Sequence, residues 1–410
     1  MSNTSDVQIL RELAKQYIEI ANRDIQIKRR DLWRAHNSLK RTRILVHVRG
    51  FPESEIPEMK CVCEDPFYRH HEHQLRWFLF QDSIGDDYVF TPWLTQRAAV
   101  YQPPHSIWGV QINHIPSPQG GRGSWMFDPP IKNLEDMDKL AVPRHEIDEE
   151  ATKCSVEKIS EAVGDIITIN VDRGPEWLSF RGDISTYLGH LRGLEQVFWD
   201  MMDNPEWLHR LLAFMRDGIL KAQDEAEAAG DFRLCNNGNQ AMPYAEELPL
   251  MEPNSAPVTR DKLQTFMAAQ EFTLISPEMH YEFLLQYQMP ILAKYGLVAY
   301  GCCEDLTEKI DMLRRIPNLR RIAVTPVANV KRSAEQIGTD YVISWRPNPA
   351  ETVCCGFDPD HIRTYTRQAL EDSKGCHVDI MLKDIHTVEG DPSRLREWVR
   401  ITREVAEEFE

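Results

Sequence analysis

Short apolar runs alternate with amphipathic stretches along the chain from residue 165 to its end. The apolar runs predict strands, at 165–171, 232–236, 297–301, 320–325, 341–345 and 378–383. The amphipathic stretches predict helices, at 184–203, 206–229, 260–270, 278–294, 306–315, 332–337, 358–373 and 392–408. This alternation is typical of parallel βαβ units, and their number favours an α/β fold with a (β/α)8 TIM-type barrel over an open sheet. The barrel is predicted at 151–410, after an N-terminal helical and irregular extension at 1–150.

The N-terminal extension has a weaker pattern than the barrel region. Helical periodicity is evident at 6–36 and 67–80, and a strand-like apolar run lies at 44–48. Residues 85–130 show no periodicity and are rich in proline, glycine and aromatic residues. An irregular stretch of this length is typical of a lid, a binding loop or an interface, so we expect it to line a pocket.

The predicted strand at 297–301 leads into two adjacent thiols and two acids, Cys302, Cys303, Glu304 and Asp305. Because the chemistry of a barrel lies at the carboxyl ends of its strands, this segment predicts the floor of an active site. The alternative is that both cysteines pack in the core as small hydrophobic side chains. Other strand ends and loops add carboxylate, imidazole, amide and indole groups, from Asn236, Glu271, His280, Trp345, Asp384 and His386.

Thiols and imidazoles that converge on one rim are typical of a zinc site. Catalytic zinc needs about three protein ligands and an open fourth position. Cys302 or Cys303 with His386 would supply two of them, and the third could be His280, Glu271 or the other thiol. Structural interpretations exist for both histidines, since His386 could be a hydrogen-bonded strand-end residue and His280 could face the barrel wall.

Five further assignments follow from the strand ends. Glu271 and Asp384 are the candidates for catalytic carboxylates, although Asp384 could instead cap the following loop. Tyr300, Trp345 and Asn236 are the candidates for contacts with substrate. These assignments place the whole predicted site on one rim of the barrel.

Composition excludes several classes of function. The chain has 410 residues, of which 42% are hydrophobic, and a net charge of −17, which argues against nucleic acid as a partner. No secretory signal is visible, and no stretch approaches the roughly 18 apolar residues of a membrane span, so we expect a cytoplasmic protein. The nine cysteines are an odd number and are expected as free thiols or metal ligands. No motif for nucleotide binding or serine-hydrolase chemistry is present.

Five segments carry motifs in a recognisable order, at 133–140, 191–195, 203–206, 276–280 and 297–305. In order and spacing they resemble the uroporphyrinogen decarboxylase-like superfamily, over roughly residues 134–408. The resemblance implies a (β/α)8 barrel, in agreement with the alternating pattern of strands and helices.

That superfamily contains metal-free decarboxylases and zinc-dependent, corrinoid-linked methyltransferases. The decarboxylases bind an acidic tetrapyrrole through arginines in an Arg-x-x-Gly-Arg-type loop, and this sequence has no such loop. The methyltransferases hold zinc through a His-x-Cys at a strand end and a later cysteine. Cys302 matches the first motif and Tyr300 stands in place of its histidine, while Asp384 and His386 lie near the place of the later cysteine.

The resemblance implies a zinc-dependent methyltransferase that moves a methyl group between a small methylated compound, such as an aryl methyl ether, and a corrinoid on a partner protein. Zinc and the corrinoid are the implied cofactors, and neither nucleic acid nor a membrane is an expected partner. A homodimer is also expected, since acidic barrels of this size often pair. The alternatives are a metal-free decarboxylase of a polycarboxylate such as uroporphyrinogen, and a non-catalytic barrel that binds a corrinoid or a partner domain.

Overall fold

The computed structural model describes residues 4–116 and 125–410. The strands are β1 (Leu45–Arg49), β2 (Trp93–Arg97), β3 (Asn113–Pro116), β4 (Trp125–Asp128), β5 (Thr168–Asp172), β6 (Gln264–Met267), β7 (Leu297–Tyr300), β8 (Leu319–Val324), β9 (Val342–Trp345) and β10 (His377–Lys383). The α-helices are α1 (Thr4–Ala21), α2 (Asp24–Asn37), α3 (Pro66–Ile84), α4 (Glu149–Val163), α5 (Ser185–Arg192), α6 (Leu194–Asp203), α7 (Pro205–Ala228), α8 (Pro277–His280), α9 (Gln286–Leu292), α10 (Ile310–Leu313), α11 (Val330–Ile337), α12 (Pro359–Asp372) and α13 (Ser393–Glu407).

Six strands form one parallel sheet, in the order β1-β10-β9-β8-β7-β6. A separate parallel pair joins β2 to β5, and β3 and β4 form an antiparallel pair. The first strand lies beside the last, with Leu45 opposite Asp379 and Arg49 opposite Lys383. The architecture is therefore α/β with a parallel half-barrel of six strands, and the described residues do not close a hydrogen-bonded barrel of eight.

The half-barrel is buried on both faces, as expected for a parallel sheet covered by helices. Every residue of β6, β7 and β9 is buried. The covering helices are amphipathic, and α13 turns Leu395, Trp398 and Thr402 inward at helical spacing. These strands hold the main apolar core and present their carboxyl ends at one edge of the sheet.

Two predicted elements are wrong. The helix predicted at 260–270 is the strand β6, because a short, fully buried run such as Phe266-Met267 shows no periodicity that separates a strand from a helix. The strand predicted at 232–236 is a turn, in which the Asn236 carboxamide oxygen accepts the Arg233 N–H at 2.8 Å. Asparagine favours such local bonds over extended pairing.

The N-terminal extension contributes more regular structure than its pattern indicates. The predicted strand at 44–48 is confirmed as β1, which belongs to the six-stranded sheet. The irregular stretch at 85–130 includes β2, β3 and β4, and its residues 117–124 lie outside the described residues. The division into domains near residue 150 stays a prediction. Within the described ranges, the helices are too short or too polar to cross a membrane.

Candidate active site

The strand β7 ends at Tyr300, and the turn that follows begins at Gly301 and carries the two adjacent cysteines. Gly301 has φ +102°, and a Cβ there would lie 2.7 Å from the side chain of Leu306 and 2.9 Å from that of Ala323. Only glycine therefore fits this turn without strain. Cys302 is 4% exposed and faces the interior, whereas Cys303 is exposed.

Two buried charged groups hold the backbone of the turn. One Glu304 oxygen accepts the Cys302 N–H at 2.7 Å, and the other accepts the Ala269 N–H at 2.8 Å. The Arg346 guanidinium donates to the carbonyl of Cys302 and, at 3.2 Å, to that of Gly301. Because both side chains are buried, these bonds form in a low-dielectric environment and fix the cysteines in place.

A lysine from the last strand completes the site. Lys383 Nζ lies 3.4 Å from Cys302 Sγ, 3.1 Å from Cys303 Sγ and 2.5 Å from Asp384 Oδ2. The two sulfurs are 3.5 Å apart, and Cys303 Sγ lies 3.4 Å from Asp384 Oδ2. We call Cys302, Cys303, Lys383 and Asp384 the thiol centre.

Charge at the thiol centre is concentrated on Cys302. Its hydrogen bond with Cys303, together with the positive charges of Lys383 and Arg346, lowers the pKa of Cys302 to about 6 despite burial. The same bond raises the pKa of Cys303, so the pair carries its first negative charge on the inner sulfur. Burial and Arg346 oppose the charge on Lys383, but the Cys302 thiolate and Asp384 outweigh them and raise the pKa of Lys383.

Asp384 occupies an unusual backbone conformation. Its φ is +57°, in the left-handed region that a few aspartates adopt. This turn at the end of β10 places the carboxylate against Lys383 and Cys303. Strained residues of this kind cluster at functional sites, where the surrounding structure holds them.

A second arginine adds positive charge near the thiol centre. Arg49, at the end of β1, has no hydrogen bond or ion pair within the described part of the chain, and its Nη1 is buried. Burial and the nearby Arg346 lower the pKa of Arg49. The edge of the half-barrel therefore combines a thiolate with three cationic side chains, those of Arg49, Arg346 and Lys383.

The structure brings three of the candidate residues together, namely Cys302, Cys303 and Asp384. Glu271 is half-buried beyond β6, and burial raises its pKa. Its Oε2 has no hydrogen-bond partner within 4–116 and 125–410. Glu271 therefore remains a candidate acid at the same edge of the sheet, without a bond to the thiols.

The two candidate histidines lie in different environments. His280 is buried and shares a 3.1 Å hydrogen bond with the Tyr300 hydroxyl, which in turn donates to Gln288 at 2.7 Å. Burial lowers the pKa of His280 to about 3, so the imidazole is neutral. His386 is exposed and makes no hydrogen bond or ion pair with any described residue. The hydroxyl of Tyr300 is thus already bonded inside the core.

The other two candidates for contacts with substrate, Trp345 and Asn236, each contact another residue of the chain. Trp345 is 2% exposed and packs edge-on against Tyr365, with ring centroids 5.5 Å apart. Asn236 donates to Asp172 at 2.6 Å, at the carboxyl end of β5. Only Asn236 of the two is partly open to solvent.

Sequence reasoning missed Lys383 and Gln240. Gln240 Nε2 donates to Cys302 Sγ at 3.1 Å, from a loop that no pattern marked. The sequence did indicate a role for Lys383, because a lysine that ends a buried apolar strand and precedes an aspartate must direct its charge to a partner.

No protein-family profile matches the sequence, and no curated protein matches it either. Among solved structures, a methyltransferase from Methanosarcina mazei is similar, with a TM-score of 0.53 and 13% identity, over 92% of this chain and 98% of that one. At this identity the likeness concerns the fold. The chain therefore shares the fold of that methyltransferase over nearly its whole length.

Proposed function

We propose that this chain is a methyltransferase that moves a methyl group between a small methylated compound and a corrinoid carried by a separate protein. The observation that carries the proposal is the thiol centre at the carboxyl end of β7, where parallel α/β folds place their chemistry. The shared fold with a methyltransferase supports it. The corrinoid would supply the metal that exchanges the methyl group.

The zinc ion that the resemblance implies does not fit the centre as it is arranged. Within the described ranges, no three His, Cys, Asp or Glu side chains are placed to hold a metal. Lys383 Nζ contacts both sulfurs and the Asp384 carboxylate, so its positive charge already lies among the donors. We therefore derive no step through zinc.

The chain's own residues can stabilise the charge that methyl transfer creates. When a methyl group leaves an ether, the electron pair of the broken C–O bond stays on the oxygen. An ammonium held in place before the reaction stabilises that negative charge without reorganisation. Lys383 is such a group, since Cys302 and Asp384 keep it charged. The exposed sulfur of Cys303 leaves this side of the centre open to substrate and partner.

The test is methyl transfer to a free corrinoid. Purified protein is incubated with reduced cobalamin and a panel of an aryl methyl ether, a methylamine and a methyl thioether. We expect a change in the corrinoid spectrum and release of one demethylated product. Lys383→Met lowers the rate at least about tenfold, since it removes the ammonium that stabilises the leaving oxygen, and Cys302→Ser also lowers it, since it removes a group that keeps Lys383 charged and in place. Cys355→Ser, at an exposed cysteine of another vicinal pair, leaves it unchanged.

The absence of transfer from the whole panel would contradict the proposal. Binding of the corrinoid without transfer would favour the non-catalytic alternative.

A second candidate function is metal-free decarboxylation of a polycarboxylate. The observation that favours it is the buried Nη1 of Arg49, which has no hydrogen-bond partner among the described residues and lies near Arg346, whose own bonds go to backbone carbonyls. Two such cations suit carboxylate groups. Release of carbon dioxide from uroporphyrinogen by wild-type protein, lost in Arg49→Met, would select this function over methyl transfer.

A further inference from the structure

We infer that Lys383 is the resident cation of a metal-free thiol centre, in which its ammonium holds Cys302 as a thiolate where the resemblance places zinc. This inference rests on the proposed function only for the location of the site, at the carboxyl end of β7. Its evidence is the position of one side chain rather than the absence of an ion.

The contacts of Lys383 Nζ resemble those of a bound cation. Two sulfurs and one carboxylate oxygen lie within 3.4 Å of it, and these come from the ends of two different strands. The side chain of Lys383 is 9% exposed, so the ammonium has few water molecules to replace these partners. A buried ammonium is costly unless it is paired in this way.

The sulfur of Cys302 is surrounded by donors. Lys383 Nζ and the Gln240 Nε2–H group at 3.1 Å both donate to it, and the ammonium has no atom that can accept a hydrogen from a thiol. Cys303 can direct its S–H to the same sulfur, at 3.5 Å. A sulfur that accepts from an ammonium and from an amide is better matched as a thiolate than as a thiol.

The surrounding charges match this distribution. Asp384 balances Lys383 on its outer side, at 2.5 Å. Arg346 is fixed by the carbonyls of Gly301 and Cys302 and adds a second positive charge close to the thiolate. The centre thus holds a nucleophilic sulfur whose counterion is an ammonium and not a metal ion.

The experiment measures the thiolate directly and uses no methyl transfer, so this assignment and the proposed function can fail separately. Wild-type protein is dialysed against a chelator, and its metal content is measured by elemental analysis. The ultraviolet thiolate absorbance near neutral pH is then compared with that of Cys302→Ser. We expect about one thiolate per metal-free chain, assigned to Cys302 by this difference.

Charge variants at Lys383 complete the test. Lys383→Met lowers the Cys302 thiolate absorbance about tenfold or more, because the thiol returns toward its ordinary ionisation. Lys383→Arg keeps most of it, and Lys374→Met, at an exposed lysine elsewhere, keeps all of it. Thermal melting of each variant checks that it is folded.

Two results would overturn the assignment. The first is one tightly bound zinc per wild-type chain, lost in Cys302→Ser. The second is a thiolate signal that is absent from the chelated protein or unchanged in folded Lys383→Met.

Discussion

At the scale of single residues, two adjacent cysteines in the turn that begins at Gly301 have different surroundings and therefore different chemistry. Cys302 is buried among donors, while Cys303 is exposed and contacts Asp384 at 3.4 Å. The vicinal pair at a strand end was recognisable in the sequence. Its counterion was not, because Lys383 lies 80 residues from Cys303 along the chain and on a strand that is not a neighbour of β7.

The buried carboxylate of Glu304 is the first residue-scale prediction. Glu304→Gln keeps one acceptor oxygen and turns an NH₂ toward a backbone N–H of Cys302 or Ala269. One buried N–H then has no acceptor, which costs about 1–3 kcal/mol. We expect the free energy of unfolding, measured in urea, to fall by this amount.

Glu308→Gln is the matched control for this substitution. Its side chain is 56% exposed and pairs with Arg332 on the surface. We expect a change within about 0.5 kcal/mol, as for most surface substitutions. Equal effects at the two positions would show that the bonds of Glu304 to the turn contribute nothing to stability.

At the scale of elements, the sequence was most informative where the hydrophobic periodicity repeats over many residues. The stretch predicted as a helix at 184–203 is helical, and Gly193 divides it into α5, which ends at Arg192, and α6, which begins at Leu194. The run that became β6 was misassigned because four buried residues carry no period. Its identity comes from pairing with β7, where Phe266 lies opposite Ala299, and such a long-range contact leaves no local signal.

The turn after β7 is the element-scale prediction. Gly301→Ala places an alanine at a left-handed backbone position, and its Cβ overlaps with the side chains of Leu306 and Ala323. We expect a loss of unfolding free energy of about 3 kcal/mol, from backbone strain and overpacking together. The same variant displaces Cys302, so its thiolate absorbance also falls.

Gly375→Ala separates the two costs. Gly375 has φ +88°, but a Cβ there would meet open space. Only the backbone cost applies, and we expect about 1 kcal/mol. A loss as large as that of Gly301→Ala would mean that close packing of the turn is not what requires the glycine.

At the scale of the whole molecule, the N-terminal part is bound into the sheet by a buried charge network. Asp379, on β10, bonds to His36 at 3.0 Å, to Arg321 at 2.6 Å and to Ser344 at 3.0 Å. His36 belongs to α2, so this network connects the first helices to β8, β9 and β10. The sequence pattern identified each of these elements, but not the bonds that join them, because partners between 35 and 343 residues apart follow no period.

Because of this network, the free energy of unfolding depends on pH in the acidic range. Burial opposes the charge on Asp379, but Arg321 and His36 lower the pKa of Asp379 to about 2, from 3.8. A carboxyl whose pKa is lower in the folded state stabilises the fold above its unfolded pKa. That contribution is lost as the pH falls from about 4 to about 2. His36 acts in the same direction, since burial lowers its pKa and protonation favours the unfolded chain.

Asp379→Asn therefore has two expected effects. Near neutral pH it leaves Arg321 buried without a counterion, and the unfolding free energy falls by about 3–5 kcal/mol. Between about pH 4 and pH 2 its stability declines less steeply than that of the wild type, because the titrating group is gone. Urea unfolding at several pH values measures both. Asp311→Asn, with a side chain 90% exposed, is the control and follows the wild-type curve. If Asp379→Asn kept the wild-type slope, the acid dependence would arise elsewhere, and the network would join α2 to the sheet by packing rather than by charge.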